Sequence, residues 1–253
     1  MNIWQVRGWS KLGQPLRLPI MEIFGPTIQG EGKLIGQKTM FIRTAGCDYK
    51  CTWCDSAFTW DGSEKATLMS AHEILNALFK LGGDRFKYVT ISGGNPALYA
   101  DNMAELINVL HEHKLIVSLE TQGTIWQDWL LDVDDVTLSP KPPSSGMQTD
   151  MERLDEFIHK LAVNQTNFSL KIVIFDEADL AFAKYLFNRY RTYTKELYVS
   201  VGNPVPRSEE DVRDVLLDKL NQLFDWVIAD PAFNDVKALP QLHTLVWNNK
   251  RGV

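Results

Sequence analysis

The segment from Gly46 to Asp55 constrains this chain more than any other part of the sequence. It contains Cys47, Cys51 and Cys54, and these three are all the cysteines of the protein. Core packing does not explain three thiols spaced so closely, and a disulfide would leave one thiol over. A structural zinc site usually takes four ligands from two paired knuckles, and the sequence holds no second pair.

The cysteine spacing suits an iron–sulfur cluster with an open position. Cysteine thiolates usually hold four-iron clusters, so three cysteines leave one iron without a protein ligand. An open metal position is typical of catalytic sites rather than structural ones. The segment therefore predicts a catalytic iron–sulfur centre, with a structural zinc site as the alternative.

Composition and charge narrow the class of protein. The chain has 253 residues, 45% of them apolar and 23% charged, which is typical of one sizeable globular domain or two small ones. A net charge of −6 argues against a nucleic-acid-binding surface. No apolar run approaches the length of a membrane span, and the N-terminal stretch lacks the apolar core of a secretory signal. We expect a cytoplasmic protein, which suits free thiols and an oxygen-sensitive cluster.

Predicted strands alternate with predicted helices along most of the chain. We expect strands at 21–24, 38–44, 88–92, 115–120, 135–139, 169–175 and 196–201. We expect helices at 70–81, 100–113, 124–131, 150–163, 177–191 and 208–224. Ser70 and Glu73 have capping-box spacing, Ser208 is the expected cap of the last helix, and 226–229 and 242–247 are expected to be extended.

This alternation predicts a parallel sheet with right-handed crossovers. Six strand–helix units indicate an α/β fold, a partial (β/α)6 barrel rather than the eight-unit form. We expect a single domain over 21–253, preceded by an N-terminal extension at 1–20 that shows no clear periodicity.

Small and polar residues follow several of the predicted strands. Active sites of β/α barrels lie at these C-terminal strand ends. Each segment alone is only a turn signal, but together they are expected to form one face opposite the cysteine loop. The segments are Ser-Gly-Gly-Asn-Pro at 92–96, Glu-Thr-Gln-Gly at 120–123, Ser-Pro-Lys at 139–141 and Gly-Asn at 202–203.

The spacing Cys-x3-Cys-x2-Cys, with Trp53 before the last cysteine, resembles the signature of the radical S-adenosylmethionine (SAM) superfamily. The strand-end segments, the Ile-Gln-Gly-Glu-Gly stretch at 28–32 and Arg43 resemble the 7-carboxy-7-deazaguanine synthase family within it. The resemblance runs from Met21 to the C-terminus and is weakest between 150 and 225. Asn95 stands where the superfamily usually has Glu.

The resemblance implies a fold, three cofactors and an activity. It implies a partial barrel of the radical SAM type and a [4Fe-4S] cluster held by Cys47, Cys51 and Cys54. It also implies SAM on the open iron and Mg²⁺ on the hydroxyl of Ser56. The implied activity is that of a lyase converting 6-carboxy-5,6,7,8-tetrahydropterin to 7-carboxy-7-deazaguanine and ammonia, a step in queuosine precursor biosynthesis. From the residues alone, Asp48, Asp55 and Asp61 are equally good magnesium ligands.

The resemblance also assigns contacts to SAM and to the substrate. The implied SAM contacts are Trp53, Cys54, Asp55, Gly94, Glu120, Ser139, Pro140 and Lys141. The implied substrate contacts are Ile28, Gln29, Gly30, Arg43 and Ser92; Arg43 suits a carboxylate because guanidinium binds it bidentately. Further candidates are Lys171, Asn203, Gln241 and His243.

The family also implies partners, and two other functions remain open. The expected partners are a flavodoxin or ferredoxin as electron donor and a second copy of the chain in a homodimer. One alternative is an activase that installs a glycyl radical on a partner protein; many such enzymes carry extra ferredoxin-type cysteines, which this chain lacks. The other is a non-catalytic metal-binding module.

Overall fold

The computed structural model describes residues 16–253, which form a nine-stranded sheet and six α-helices. The strands are β1 (Leu18–Ile28), β2 (Lys38–Thr44), β3 (Thr67–Met69), β4 (Tyr88–Gly93), β5 (Ile116–Thr121), β6 (Asp135–Leu138), β7 (Phe168–Ile174), β8 (Leu197–Val201) and β9 (Lys237–Leu239). The helices are α1 (Ala71–Gly82), α2 (Asp101–Glu112), α3 (Met151–Val163), α4 (Glu177–Tyr190), α5 (Arg213–Ala229) and α6 (Leu242–Trp247). Within this part of the chain, no helix has both the length and the apolar character needed to cross a membrane.

The sheet is parallel except at one edge. Its strand order is β3-β1-β2-β4-β5-β6-β7-β8-β9, and β1 pairs antiparallel with both β2 and β3. From β2 onward, neighbouring strands run parallel in chain order. The sheet remains open, with β3 and β9 at its edges, so the predicted partial barrel is confirmed. Every residue of β6, β7 and β8 is buried, as expected for parallel strands covered on both faces.

The predicted elements in the middle of the chain are confirmed. Strand β2 matches 38–44, and β4 to β8 and α1 to α4 begin and end within one residue of their predicted bounds. The predicted capping box is also present at α1. The Ser70 backbone N–H donates to the Glu73 carboxylate at 2.7 Å, and the Glu73 N–H donates to Ser70 Oγ at 3.3 Å.

Predictions near the C-terminus were wrong. Helix α5 begins at Arg213 rather than Ser208, and its last turn includes the stretch 226–229 that was predicted as extended. The reason is tertiary: Asn249 Nδ2 donates to the carbonyl of Ser208, and Asn248 Oδ1 accepts from the Val212 N–H where the helix starts. Residues 242–247 form α6 rather than an extended piece.

Three shorter elements also differ from the prediction. The expected helix at 124–131 is a 3-10 turn over Asp128–Asp132. Strands β3 and β9 were not predicted, since three residues are too few to show a periodicity. Strand β1 begins at Leu18, and Leu18 and Ile20 are buried, so part of the segment predicted as an extension belongs to the sheet. Residues 1–15 of that segment lie outside the described residues.

The end of β4 packs against the cysteine loop with no space for a side chain. A Cβ on Gly93, which has φ +129°, would lie 2.3 Å from the carbonyl oxygen of Thr44 in β2. A Cβ on Gly94 would lie 1.8 Å from the carbonyl oxygen of Gly46. That carbonyl accepts the Asn95 N–H at 2.8 Å. The two glycines therefore let backbone pack on backbone directly before Cys47.

We predict that Gly94→Ala prevents the cysteine loop from holding a metal cluster. The added methyl group overlaps the Gly46 carbonyl, so Gly46 and the adjacent Cys47 must move. The measurement is iron and sulfide bound per chain after anaerobic reconstitution, with circular dichroism to check that the protein remains folded. Gly62→Ala is the control for an added methyl group, because no atom lies within 4 Å of a Cβ built at Gly62. Full cluster content in folded Gly94→Ala would contradict the prediction.

Candidate active site

A cavity lies at the C-terminal ends of the parallel strands. Its wall includes residues at or just after the ends of β2, β4, β5, β6, β7 and β8. Most of the residues singled out from the sequence line it: Ile28, Gln29, Gly30, Arg43, Cys47, Cys51, Trp53, Cys54, Asp55, Ser56, Ser92, Gly94, Glu120, Ser139 and Lys141. The further candidates Lys171, Asn203, Gln241 and His243 line it too. Pro140 is buried but is not part of the cavity wall.

The three cysteines lie in the loop after β2, on one side of this cavity. Cys47 Sγ accepts hydrogen bonds from the Tyr49 N–H at 3.4 Å and from Gln122 Nε2 at 3.7 Å. Burial raises the pKa of all three thiols, that of Cys51 to about 11. Bound iron stabilises the thiolate form, and N–H donors to sulfur are usual around clusters. The loop therefore fits a three-cysteine cluster.

Asn95 braces the cysteine loop and does not line the cavity. Its side chain is completely buried. Asn95 Nδ2 donates to Asp48 Oδ1 at 2.8 Å, and Asn95 Oδ1 accepts from Thr121 Oγ1 at 2.8 Å. Gln122 Nε2 also donates to Asp48 Oδ1, at 2.6 Å. The residue that replaces the usual Glu thus connects the cysteine loop to the end of β5.

Oxygen donors lie beside the cysteines. Ser56 Oγ donates to Asp55 Oδ1 at 3.0 Å. One ligand atom each of Asp55, Glu31 and His243 lies within 4.8 Å of the others. The sequence left Asp48, Asp55 and Asp61 as equally good magnesium ligands, and of these three only Asp55 lines the cavity. Hydroxyl and carboxylate oxygens suit Mg²⁺, so Ser56, Asp55 and Glu31 fit this ion, whereas the imidazole of His243 is a donor that other metals favour.

Lys171 lies in the cavity wall and pairs with two carboxylates. Its ammonium nitrogen lies 2.6 Å from Glu31 Oε2 and 3.2 Å from Glu120 Oε2, with the lysine side chain 3% exposed. Burial alone would lower the pKa of Lys171, but the two carboxylates raise it above its ordinary value. Burial raises the pKa of Glu31, but Lys171, His243 and the hydrogen bond from Gln241 together outweigh burial, and the pKa falls to about 2. Lys171 and Glu31 are therefore both charged at neutral pH.

The loop at 29–31 is held by its own side chains and by this network. Gln29 Oε1 accepts from the Gly30 N–H at 2.8 Å, and Gln29 Nε2 donates to Glu120 Oε1 at 3.4 Å. Gln241 Nε2 donates to Glu31 Oε1 at 2.8 Å. The residues assigned to substrate and to SAM are therefore connected through one hydrogen-bond network.

Gln241 and His243, the candidates near the chain end, line the cavity, but their packing against the loop at 29–31 was not predicted. The Leu242 N–H donates to the Gly30 carbonyl at 3.0 Å, and a Cβ on Gly30 would lie 2.2 Å from His243 Nδ1. Gly30 thus allows the start of α6 to pack on the loop. The C-terminal residue, Val253, also lines the cavity. No local motif marks this contact, since it joins the two ends of the described chain.

Aromatic side chains form further parts of the wall. Trp53 packs on Phe175, with ring centroids 4.9 Å apart, and Trp53 Nε1 donates to Ser144 Oγ at 3.0 Å. Phe24 and Phe41 stack with centroids 4.9 Å apart and an interplanar angle of 6°. Phe24, Phe41 and Phe175 were not singled out from the sequence, because an apolar residue in a strand is ordinarily a core residue.

Arg43 lies near the Phe24 edge of the cavity. Its Cζ is 5.4 Å from the Phe24 ring centroid and 5.6 Å from that of Phe58. Its Nη1 lies 2.8 Å from Glu22 Oε1, across the β1–β2 pair. The guanidinium is therefore held within the cavity wall by one carboxylate and two rings.

Comparison with known proteins identifies the family of this chain. Residues 41–196 match the sequence model of the radical SAM superfamily. The 7-carboxy-7-deazaguanine synthase of Bacillus cereus is 52% identical over 94% of this chain and 99% of its own length. That of Bacillus subtilis is 52% identical over 93% and 98%.

The fold is shared with solved structures of lower sequence identity. The crystal structure of QueE from Escherichia coli has a TM-score of 0.64 at 22% identity and covers 90% of this chain and 95% of that one. Streptococcus suis SuiB bound to S-adenosylmethionine has a TM-score of 0.52 at 17% identity, over 79% of this chain and 49% of that one. From the family match and the identity to the Bacillus enzymes, this chain belongs to the radical SAM superfamily and, within it, to the 7-carboxy-7-deazaguanine synthase family.

Proposed function

We propose that this protein is the radical SAM lyase that converts 6-carboxy-5,6,7,8-tetrahydropterin to 7-carboxy-7-deazaguanine and ammonia, for queuosine precursor biosynthesis. One observation carries the proposal: the three cysteines, the Gln29–Gly30 loop and Arg43 line the same cavity. A radical generator, a pterin-binding loop and a carboxylate-binding cation thus lie within reach of one small ligand. The identity to the Bacillus enzymes supports the same activity.

Cys47, Cys51 and Cys54 are the proposed ligands of a [4Fe-4S] cluster, with SAM beside it. When bound, the cluster supplies the electron that cleaves SAM reductively. Around the cysteine loop, the proposed SAM contacts in the cavity wall are Trp53, Cys54, Asp55, Gly94, Glu120, Ser139 and Lys141. Pro140 stays in this set as the buried residue that holds Ser139 and Lys141 on either side. The protein mainly orients the cofactor against the substrate.

The substrate is proposed to bind on the β1–β2 side of the cavity. Arg43 takes the carboxylate through its guanidinium fork. Ile28, Gln29 and Gly30 contact the pterin ring, and the Phe24–Phe41 stack is an apolar wall beside it. Ser92, at the end of β4, is a proposed polar contact.

Magnesium and the partners complete the proposal. Ser56 is the proposed Mg²⁺ ligand; its hydroxyl bonds the Asp55 carboxylate, and a ligand atom of Glu31 lies within 4.8 Å of one of Asp55. Magnesium keeps several of its six positions for water and substrate oxygens, so few protein ligands suffice. The proposed reductant is a flavodoxin or ferredoxin, the proposed assembly a homodimer and the proposed location the cytoplasm.

The direct test is turnover by the full chain. The protein is purified without oxygen and reconstituted with iron and sulfide, then mixed with reductant, SAM, Mg²⁺ and the carboxytetrahydropterin. Mass spectrometry should detect 7-carboxy-7-deazaguanine. Deoxyadenosine without this product would favour another radical SAM reaction, such as the activase. A stable tetrahedral zinc site without SAM cleavage would favour the metal-binding module. Either result would refute the proposal.

We predict that Cys47→Ala abolishes the cluster and the product together, because two thiolates do not hold a four-iron cluster. The measurements are iron content, visible absorption and product formation. Cys51→Ala and Cys54→Ala are parallel variants with the same expected result. Retention of a full cluster by any of the three would show that the assigned ligand set is wrong.

We predict that Ser56→Ala weakens the magnesium response and leaves the cluster intact. Loss of one oxygen ligand should raise the Mg²⁺ concentration for half-maximal activity about tenfold, equivalent to about 1.4 kcal/mol. The measurement is activity against Mg²⁺ concentration, with iron content determined on the same sample. Ser63→Ala is the matched control, since Ser63 Oγ bonds Asp61 on the surface. An unchanged Mg²⁺ dependence would rule out Ser56 as a ligand.

A further inference from the structure

We propose that Arg251 is a positioning residue for Arg43: by sharing the carboxylate of Glu22, it keeps the Arg43 guanidinium available for the substrate carboxylate. The inference rests on the proposed function, in which Arg43 binds that carboxylate. Arg251 itself does not line the cavity, so it acts through Glu22 rather than on the substrate.

The two oxygens of Glu22 are divided between two arginines. Glu22 Oε1 lies 2.8 Å from Arg43 Nη1, and Glu22 Oε2 accepts from Arg251 Nε at 2.7 Å. The Glu22 side chain is 17% exposed, so solvent screens these contacts only in part. Among residues 16–253, Glu22 is the one carboxylate within ion-pair distance of Arg43.

Arg251 is itself fixed by two further groups. It forms a bidentate ion pair with Glu64, in which Nη1 donates to Oε1 at 2.5 Å and Nη2 donates to Oε2 at 3.1 Å. Its Cζ lies 3.5 Å from the centroid of the Phe58 ring, a cation–π contact. Phe58 belongs to the turn directly after the cysteine loop, and Arg43 Cζ lies 5.6 Å from the same ring. The guanidinium of Arg251 therefore holds its side of Glu22 in a defined place.

This sharing matters because a cation that is already paired binds an anion weakly. If Glu22 faced Arg43 alone, both of its oxygens could turn to the Arg43 fork and compete with the substrate carboxylate. Arg251 draws one oxygen away, so Arg43 keeps only a single contact.

The tail carries Arg251 to this position through specific contacts. Asn248 Oδ1 accepts from the Val212 N–H at 3.0 Å, and Asn203 Nδ2 donates to Asn249 Oδ1 at 2.8 Å. Arg251 follows two residues later and reaches Glu22 in β1. The tail thus connects the last helices to the first strand of the sheet.

The test is steady-state kinetics of reconstituted Arg251→Ala. We expect KM for the carboxytetrahydropterin to rise about tenfold, equivalent to about 1.4 kcal/mol, with kcat changed little. The inhibition constant of a pterin without the carboxylate should stay at the wild-type value. A general loosening of the site would weaken both ligands equally and would overturn the inference. Iron content and SAM affinity are measured on the same samples.

A double-mutant cycle tests the route through Glu22. In a Glu22→Gln background, Arg251→Ala should cause no further rise in KM, because no charged competitor for Arg43 remains. A full tenfold effect in that background would show that Arg251 acts by another route. Lys250→Ala is the control for altering the tail, since the Lys250 side chain is exposed and makes no ion pair within the described chain.

Failure of the inference can be told apart from failure of the proposed function. Wild-type protein that forms no 7-carboxy-7-deazaguanine would refute the function. Active wild-type protein with an unchanged KM in Arg251→Ala would refute only the inference.

Arg251→Lys tests whether charge alone is enough. A lysine can pair with Glu22 but cannot keep the bidentate contact with Glu64, so we expect a KM between those of the wild type and Arg251→Ala.

Discussion

The geometry of the site depends on the two ion pairs that the buried ammonium of Lys171 makes with Glu31 and Glu120. Lys171 joins Glu31, in the loop after β1, to Glu120, near the end of β5, from its place in β7. Burying the lysine charge beside two partly buried carboxylates is costly, and the attraction offsets that cost only with good geometry and further hydrogen bonds. Gln241 supplies one such bond to Glu31, and Gln29 supplies one to Glu120. Loss of the lysine alone would leave two carboxylates uncompensated, which typically costs about 3–5 kcal/mol.

The same network explains why segments far apart in the chain form one cavity. Parallel strands bring the segments after β4, β5 and β6 to one edge of the sheet, but they do not fix the loop after β1 or the chain end. Lys171 fixes the first, and Gln241 then fixes the second through Glu31. Glycine at position 30 permits that second contact, because His243 occupies the space of a Cβ. The loop at 29–31 is thus positioned by residues that follow it by most of the chain length.

Features set by local residues could be predicted from the sequence, whereas features set by contacts between distant residues could not. The cysteine ligands are local, and the strand-end residues follow from parallel topology, so both could be found from the sequence. The course of the tail could not be, because Asn248 and Asn249 decide where α5 begins and no periodicity reports such contacts. Asn95 shows a different limit. It stands at a motif position yet serves as a buried brace for Asp48, a role that depends on three loops meeting.

The cations of the cavity differ in how many carboxylates pair with them, and this difference indicates which of them can bind an anionic group. Lys171 is matched by two carboxylates, so it holds the site together and has little attraction left for an anion. Lys141 donates to the hydroxyl of Ser139 and has no carboxylate within ion-pair distance among the described residues. Arg43 has one shared carboxylate. SAM and the proposed substrate each have a carboxylate. Of the two cations that are not fully paired, Lys141 after β6 is the proposed contact of SAM, and Arg43 in β2 is that of the substrate. Under the proposed function, the pairing pattern therefore offers each of the two carboxylates its own cation, on a different side of one cavity.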